Sequence, residues 1–298
     1  MSRRTAPALI FLLAAGILPP ARALAHTGTV FAPGWSLEPW VVLPLVLSAT
    51  IYLAGYVRLR ARSAAGRAER RRRGLIFAAG LAVLAGAVVS PLHETGARSF
   101  TAHMLEHELI MLAAAPLLVW SQPLGVTLWA FPAGGRQVLA GLSRTRVISG
   151  AWTLLTVPMT ATALQAAALW IWHLPSLFDR ALTAEGWHIA QHLCFFVSAL
   201  LFWSAMIGPR RSAWTAAVCL FATSMISGAL GAFMALSASP WYAPYAAMGL
   251  AAFGLTPAQD QQLAGVLMWV PGGLVHAGAA LALLAPHLRA AGREVADA

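Results

Sequence analysis

The chain has 298 residues, 59% of them hydrophobic and 10% charged, against about 25% charged in a soluble domain, so most of its surface suits lipid. Its net charge of +10 would fit nucleic acid in a soluble protein, but all 20 basic side chains are arginines. Most lie in short stretches between apolar runs, which is a topology signal, and nucleic acid is excluded as a partner.

Arg3 and Arg4 precede an apolar stretch from Ala6 to Leu18, then Pro19-Pro20 and a small-residue site, Ala23-Leu24-Ala25. This pattern predicts a cleavable signal peptide over residues 1–25, the alternative being an uncleaved anchor whose apolar core is short for a span. Cleavage after Ala25 leaves His26 at the mature N-terminus, where its amine and ring nitrogen together could chelate a cupric ion.

Seven apolar runs follow, over residues 37–57, 74–92, 103–120, 151–172, 187–207, 213–236 and 263–285. Each is about 18–24 residues, enough for a helix to cross the hydrocarbon, and continuous runs of this kind are not barrel strands. The expected fold class is an all-α integral membrane protein, a single seven-transmembrane-helix bundle over residues 26–298. Cys194 and Cys219 fall in different runs at different depths, so no disulfide between them is expected. Ser224/Gly228 and Ser227/Gly231 in the sixth run are small residues four apart, the pattern of close helix packing.

Arginines set the orientation. Eight lie between Arg58 and Arg73, followed on the same side by Arg136, Arg144, Arg146, Arg210, Arg211, Arg289 and Arg293, with Arg98 and Arg180 opposite. The positive-inside rule then puts the N-terminus outside and the C-terminus in the cytoplasm. The longest outer connection, residues 237–262, is aromatic and proline-rich and is expected to lie across the bundle.

This topology gathers histidines at the outer face. The third run opens with His103 and His107 in H-M-L-E-H, the fifth with His188 and His192 in H-I-A-Q-H, and the fourth ends with His173 in W-I-W-H-L-P. A separation of four puts each pair on one helical face. Imidazole at a membrane edge is costly unless a metal or haem rewards it. Relative to His103, Met111 falls about 80° and Met104 about 100° around the helix, so both thioethers are candidate additional ligands favouring Cu(I). H-M-L-E-H also matches a peptidase pattern with Glu106 as base, but no third carboxylate ligand accompanies it. Glu106, Asp260 and Gln261 are candidates for hydrogen bonds that orient ligating imidazoles, the alternative for Asp260 and Gln261 being a cap on the seventh helix. His276 follows Pro271-Gly272-Gly273, which should kink or open that helix, and reads as a structural histidine bonding a freed carbonyl.

The seven runs, the two H-x-x-x-H openings, W-x-W-H-L-P, and D-Q-Q-L-A-G-V-L-M-W-V-P-G-G on the seventh run together resemble the multi-span CtaG family of bacterial cytochrome c oxidase assembly factors. That family is distinct from the single-span copper chaperone of the same name. The resemblance covers residues 35–286 and implies a plasma-membrane protein needed for a haem–copper oxidase to acquire its metal centres. The family histidines would correspond to His103, His107, His173, His188 and His192. The expected activity is non-enzymatic: copper held transiently at a shallow outer site and passed to an oxidase subunit. Two alternatives stand beside it, a b-type haem clamped between the third and fifth helices for electron transfer, and a copper permease of the CopD kind whose path would need Met111 and His276.

Overall fold

A computed structural model describes residues 33–208, 212–250 and 254–296. The expected signal segment, its cleavage site, His26 and the Arg210–Arg211 loop lie outside the described residues. The described residues form helices and connecting turns without strands.

α1 (Pro39–Arg62) opens on Pro39, whose fixed φ and missing N–H suit a first turn. Gly66, at φ +67°, makes the reversal into α2 (Arg67–Val88), a left-handed conformation that glycine adopts without strain. The expected second span lies mainly in α2, but the first turns of that helix carry Arg67, Glu69 and Arg70 to Arg73. Its apolar part, residues 74–88, is about 22 Å long, less than the hydrocarbon thickness.

A short helix, α3 (Pro91–Gly96), leads to α4 (Phe100–Ser121). α4 is not uniform: residues Leu109–Ala114 form a π-helical segment. Pro116 lies just beyond it and cannot supply the N–H that an α-helix would send to residue 112, and the wider turns accommodate that loss. Two short turns, Leu124–Thr127 and Leu128–Ala130, close this end. α1 leans on them so closely that a Cβ on Gly55 would overlap the Val126 carbonyl.

The expected fourth span is two helices. After α5 (Ala133–Arg144), α6 (Arg146–Leu155) and α7 (Pro158–Trp172) meet at 72°. Pro158 forces Val157 into an extended conformation (ψ 130°), which breaks the run that composition alone shows as continuous. α8 (Pro175–Thr183) lies between α7 and α9 (Glu185–Ile207), and α10 (Ala213–Leu236) and α11 (Pro257–Ala296) complete the chain. α10 and α11 approach at backbone distance, since a Cβ on Gly231 would lie 2.7 Å from the Gly265 carbonyl, bearing out the small-residue packing. α11 stays helical through Pro271–Gly273 instead of opening there.

Five helices among the described residues are long and apolar enough to cross a membrane: α1, α4, α9, α10 and α11. The bent α6–α7 pair makes six if it counts as one span. The main core lies between α4, α7, α9 and α10, built on Ile110, Phe195, Phe202, Trp203, Met206 and Leu220. A second core of Phe100, Met104, Phe178, Tyr242 and Met268 sits beside the histidines. Cys194 and Cys219 are free thiols, as expected.

Candidate metal centre

α4 starts where it does because two side chains meet its exposed N–H groups. Ser99 Oγ accepts from Ala102 N–H at 3.3 Å. Asp260, from α11, accepts from Phe100 N–H at 2.6 Å, Thr101 N–H at 3.2 Å and the Ser99 hydroxyl at 3.0 Å. A buried carboxylate here satisfies orphan donors and favours the positive helix end. It locks the histidine-bearing turn of α4 to α11.

From that start, His103 and His107 point at His188 and His192 on α9. His192 Nε2 lies 2.9 Å from His188 Nε2 and 3.3 Å from His107 Nε2. The His103 ring meets His107 edge-on at 4.4 Å between centroids and stacks on His188 at 5.3 Å. One nitrogen from each of His103, His188 and His192 lies within 4.8 Å of the others. Glu106 Oε1 sits 3.4 Å from His192 Nδ1, and it accepts from His93 Nδ1 at 2.8 Å. A carboxylate at Nδ1 favours the Nδ1–H tautomer and turns the Nε2 lone pair toward the other rings.

His93, on α3, is the member that sequence reasoning left out of the site. Its ring stacks on His188 at 5.3 Å. Burial opposes its charge, but the Glu106 hydrogen bond and the nearby Glu94 and Glu38 raise its pKa above the ordinary histidine value. The signal was present: His93 is a histidine just ahead of α4, near His103 in sequence, but it lacks a partner four residues away.

His173 stands apart from the converging nitrogens. Its Nδ1 is 2.7 Å from the Leu169 carbonyl, while its Nε2 is buried without a partner. The rings of Phe178 and Phe195 each contact His173 on one side, and His103 or His107 on the other.

Four expectations need correction. Met104 packs among Phe100, Leu169, Phe178 and Met234, about 100° around the helix from the histidine face. Met111 lies in the π segment and in the main core, its sulfur 3.4 Å from Gln165 Nε2, about a turn further along the helix than His107 and engaged there. Asp260 caps α4 and bonds no imidazole among the described residues. Gln261 accepts from Trp241 N–H at 2.6 Å and donates to the Ser239 carbonyl at 3.1 Å, pinning the outer connection across the bundle.

Nor is the site shallow. His103 and His107 are each 1% exposed. Tyr245, from the 237–262 connection, donates to the Gly96 carbonyl at 2.5 Å and stands 3.2 Å from His103 Nδ1, and its neighbour Tyr242 donates to the His173 carbonyl at 3.0 Å. Phe178 stacks on Tyr242 at 4.1 Å. The opening is sideways: a cavity of about 1830 Å³ reaches His93, His188 and His192 from between α1 and α9.

His276 bears out its structural assignment in part. Its Nδ1 is 2.7 Å from a carbonyl, that of Gly272, and its ring stacks on Trp203. The carbonyl freed by Pro271 would instead be that of Leu267.

Uncharacterized protein Mb0105 of Mycobacterium bovis is 28% identical over 265 residues, covering 85% of this chain and 38% of the relative. Uncharacterized protein ML1998 of Mycobacterium leprae is 25% identical over 248 residues, covering 79% of this chain and 36% of the relative. The chain therefore spans less than two-fifths of the length of these curated relatives. No solved structure is significantly similar. Residues 50–290, which include the three histidine motifs and His93, match the family model described as cytochrome c oxidase caa3 assembly factor (Caa3_CtaG), and the chain belongs to that family.

Proposed function

We propose that this oxidase assembly factor carries copper: the outer imidazoles hold one copper ion as cargo and release it to a metal centre of the client oxidase. The observation that carries this reading is the convergence of one nitrogen from each of His103, His188 and His192 within 4.8 Å, around a carboxylate-oriented His192 ring whose Nε2 lies 2.9 Å from His188 Nε2 and 3.3 Å from His107 Nε2. Nitrogens about 2.0–2.1 Å from a shared tetrahedral ion lie roughly 3.3 Å apart, so the spacing suits one ion. His103 Nε2 and His107 Nδ1 are buried without hydrogen-bond partners, a cost that a bound ion would offset for a nitrogen that ligates it. An all-imidazole set accepts copper, with zinc the competing ion. Exchange with the client fits the side opening at His188 and His192, since His103 and His107 are buried.

The arginine distribution supports a cytoplasmic Arg58–Arg73 turn, with seven crossings if α2 and the α6–α7 pair each count as one. Active alkaline phosphatase fused at Gly66 would reverse that orientation.

The alternatives fit less well. The α4 and α9 imidazoles touch directly, which favours an ion over a porphyrin between those helices. A permease path would need Met111 and His276, and both are engaged in the core. The test is copper titration of the purified protein with an optical spectrum. Expected are one copper per chain and no Soret band, together with oxidase that lacks copper when the protein is deleted. A stoichiometric Soret band, or fully metallated oxidase without the protein, sinks the proposal.

A further inference from the structure

The cavity that reaches the histidines continues between α1 and α9 to the other end of the bundle, and its far end differs from its middle. The middle is lined by apolar side chains such as Leu45, Ile51, Leu84 and Leu200, the far end by Arg73, Arg136 and Arg144. Arg136, Ala140 and Arg144 recur every fourth residue along one face of α5 and also border an adjoining cavity of about 390 Å³. The Trp129 ring lies 4.3 Å from the Arg136 guanidinium, holding it in place. Arg73 is engaged by Glu69 and Gln122. Arg136 and Arg144 have no acidic partner among the described residues.

We propose that this groove seats an anionic phospholipid, its phosphate held by Arg136 and Arg144 and its acyl chains laid along the apolar middle toward the histidines. The tight contact of Gly55 with Val126 ties α1 to the bundle at the arginine end. Charge decides between a lipid and a membrane helix of another protein. Helix ends on the arginine side of a membrane tend themselves to be basic and would be repelled, whereas a phosphate is matched. Basic pockets between membrane helices bind anionic headgroups in this way. A seated acyl chain would close the side opening at His188 and His192. The proposal goes beyond copper carriage and does not depend on it.

The test is native mass spectrometry of the full-length protein exposed to equimolar phosphatidylglycerol and phosphatidylcholine. Expected is a preference for phosphatidylglycerol of roughly tenfold or more, because its phosphate charge is uncompensated beside the two arginines, whereas the choline ammonium cancels that of phosphatidylcholine. The R136A/R144A variant should lose that preference. R67A/R71A, which removes two arginines of α2 that do not line the groove, should keep it. Ala140→Trp should reduce retention by filling the headgroup end, and it serves if the double arginine variant does not fold. Inorganic phosphate should not displace the lipid. Equal retention of the two lipids by the native protein, equal losses in the two arginine pairs, displacement by inorganic phosphate alone, or a co-purifying protein in place of lipid would each overturn the proposal.

Discussion

The outer end and the middle of the bundle both bury histidine, and they treat it oppositely. In the middle, His276 spends Nδ1 on the carbonyl one turn back and lays its ring flat against Trp203. At the histidine-rich end, His107 and His188 each turn Nε2 toward that of His192. Burial alone therefore does not distinguish a structural histidine from a candidate ligand; the direction of the nitrogens does. His173 shares the His276 habit, bonding Leu169 one turn back, but its other nitrogen is left buried and unpartnered.

The most severe way to break this comparison is to exchange the consequences of the two sites. His192→Ala removes the ring that faces both His188 and His107, and bound copper should fall about a hundredfold or more while the protein still inserts. His276→Ala should leave copper content unchanged and lower the thermal midpoint instead. If both variants lose copper alike, the distinction fails. Glu106→Gln sharpens it, because the carboxylate acts only through the imidazoles it orients. Its copper affinity, measured by competition with a chelator, should drop roughly 10- to 100-fold with every ring still present. An unchanged affinity would show that the Glu106 contact is incidental. The smallest effect belongs to Met104→Leu with Met111→Leu. Near-isosteric swaps in a core typically cost under about 1.5 kcal/mol each, and copper content should be unaltered. Loss of copper there would return the thioethers to the site.

Much of this was legible in the sequence where the physics is local. H-x-x-x-H on an apolar helix fixes two rings to one face, and the gathering of His103, His107, His188 and His192 follows from two such helices meeting. The long runs that became α1, α9 and α10 carry their own length and polarity. The departures come from what proline and tertiary contact do to a chain. Pro158 splits a run that composition leaves whole, and Met111, a turn past His107, is taken up by the core against Gln165. His93 reaches the cluster only because α3 folds back over α4, for which no spacing rule exists. Asp260 was visible as a polar residue at a helix mouth. That it caps a different helix, some 160 residues earlier in the chain, is a fact of packing.

The π segment at Leu109–Ala114 also holds about one residue more than an α-helix would need for the same sweep. Above it, the interval between His103 and His107 belongs to an unbroken α-helix anchored by Asp260. Below it, Leu117, Val119 and Trp120 keep the phase of an uninterrupted helix, because the wider turn absorbs the extra residue. Deleting one residue from 109–114 would return the segment to α-helical register with the lower half still facing its present neighbours, and the histidines would not move. The same single-codon deletion between His103 and His107 would instead turn one ring by about 100° relative to the other.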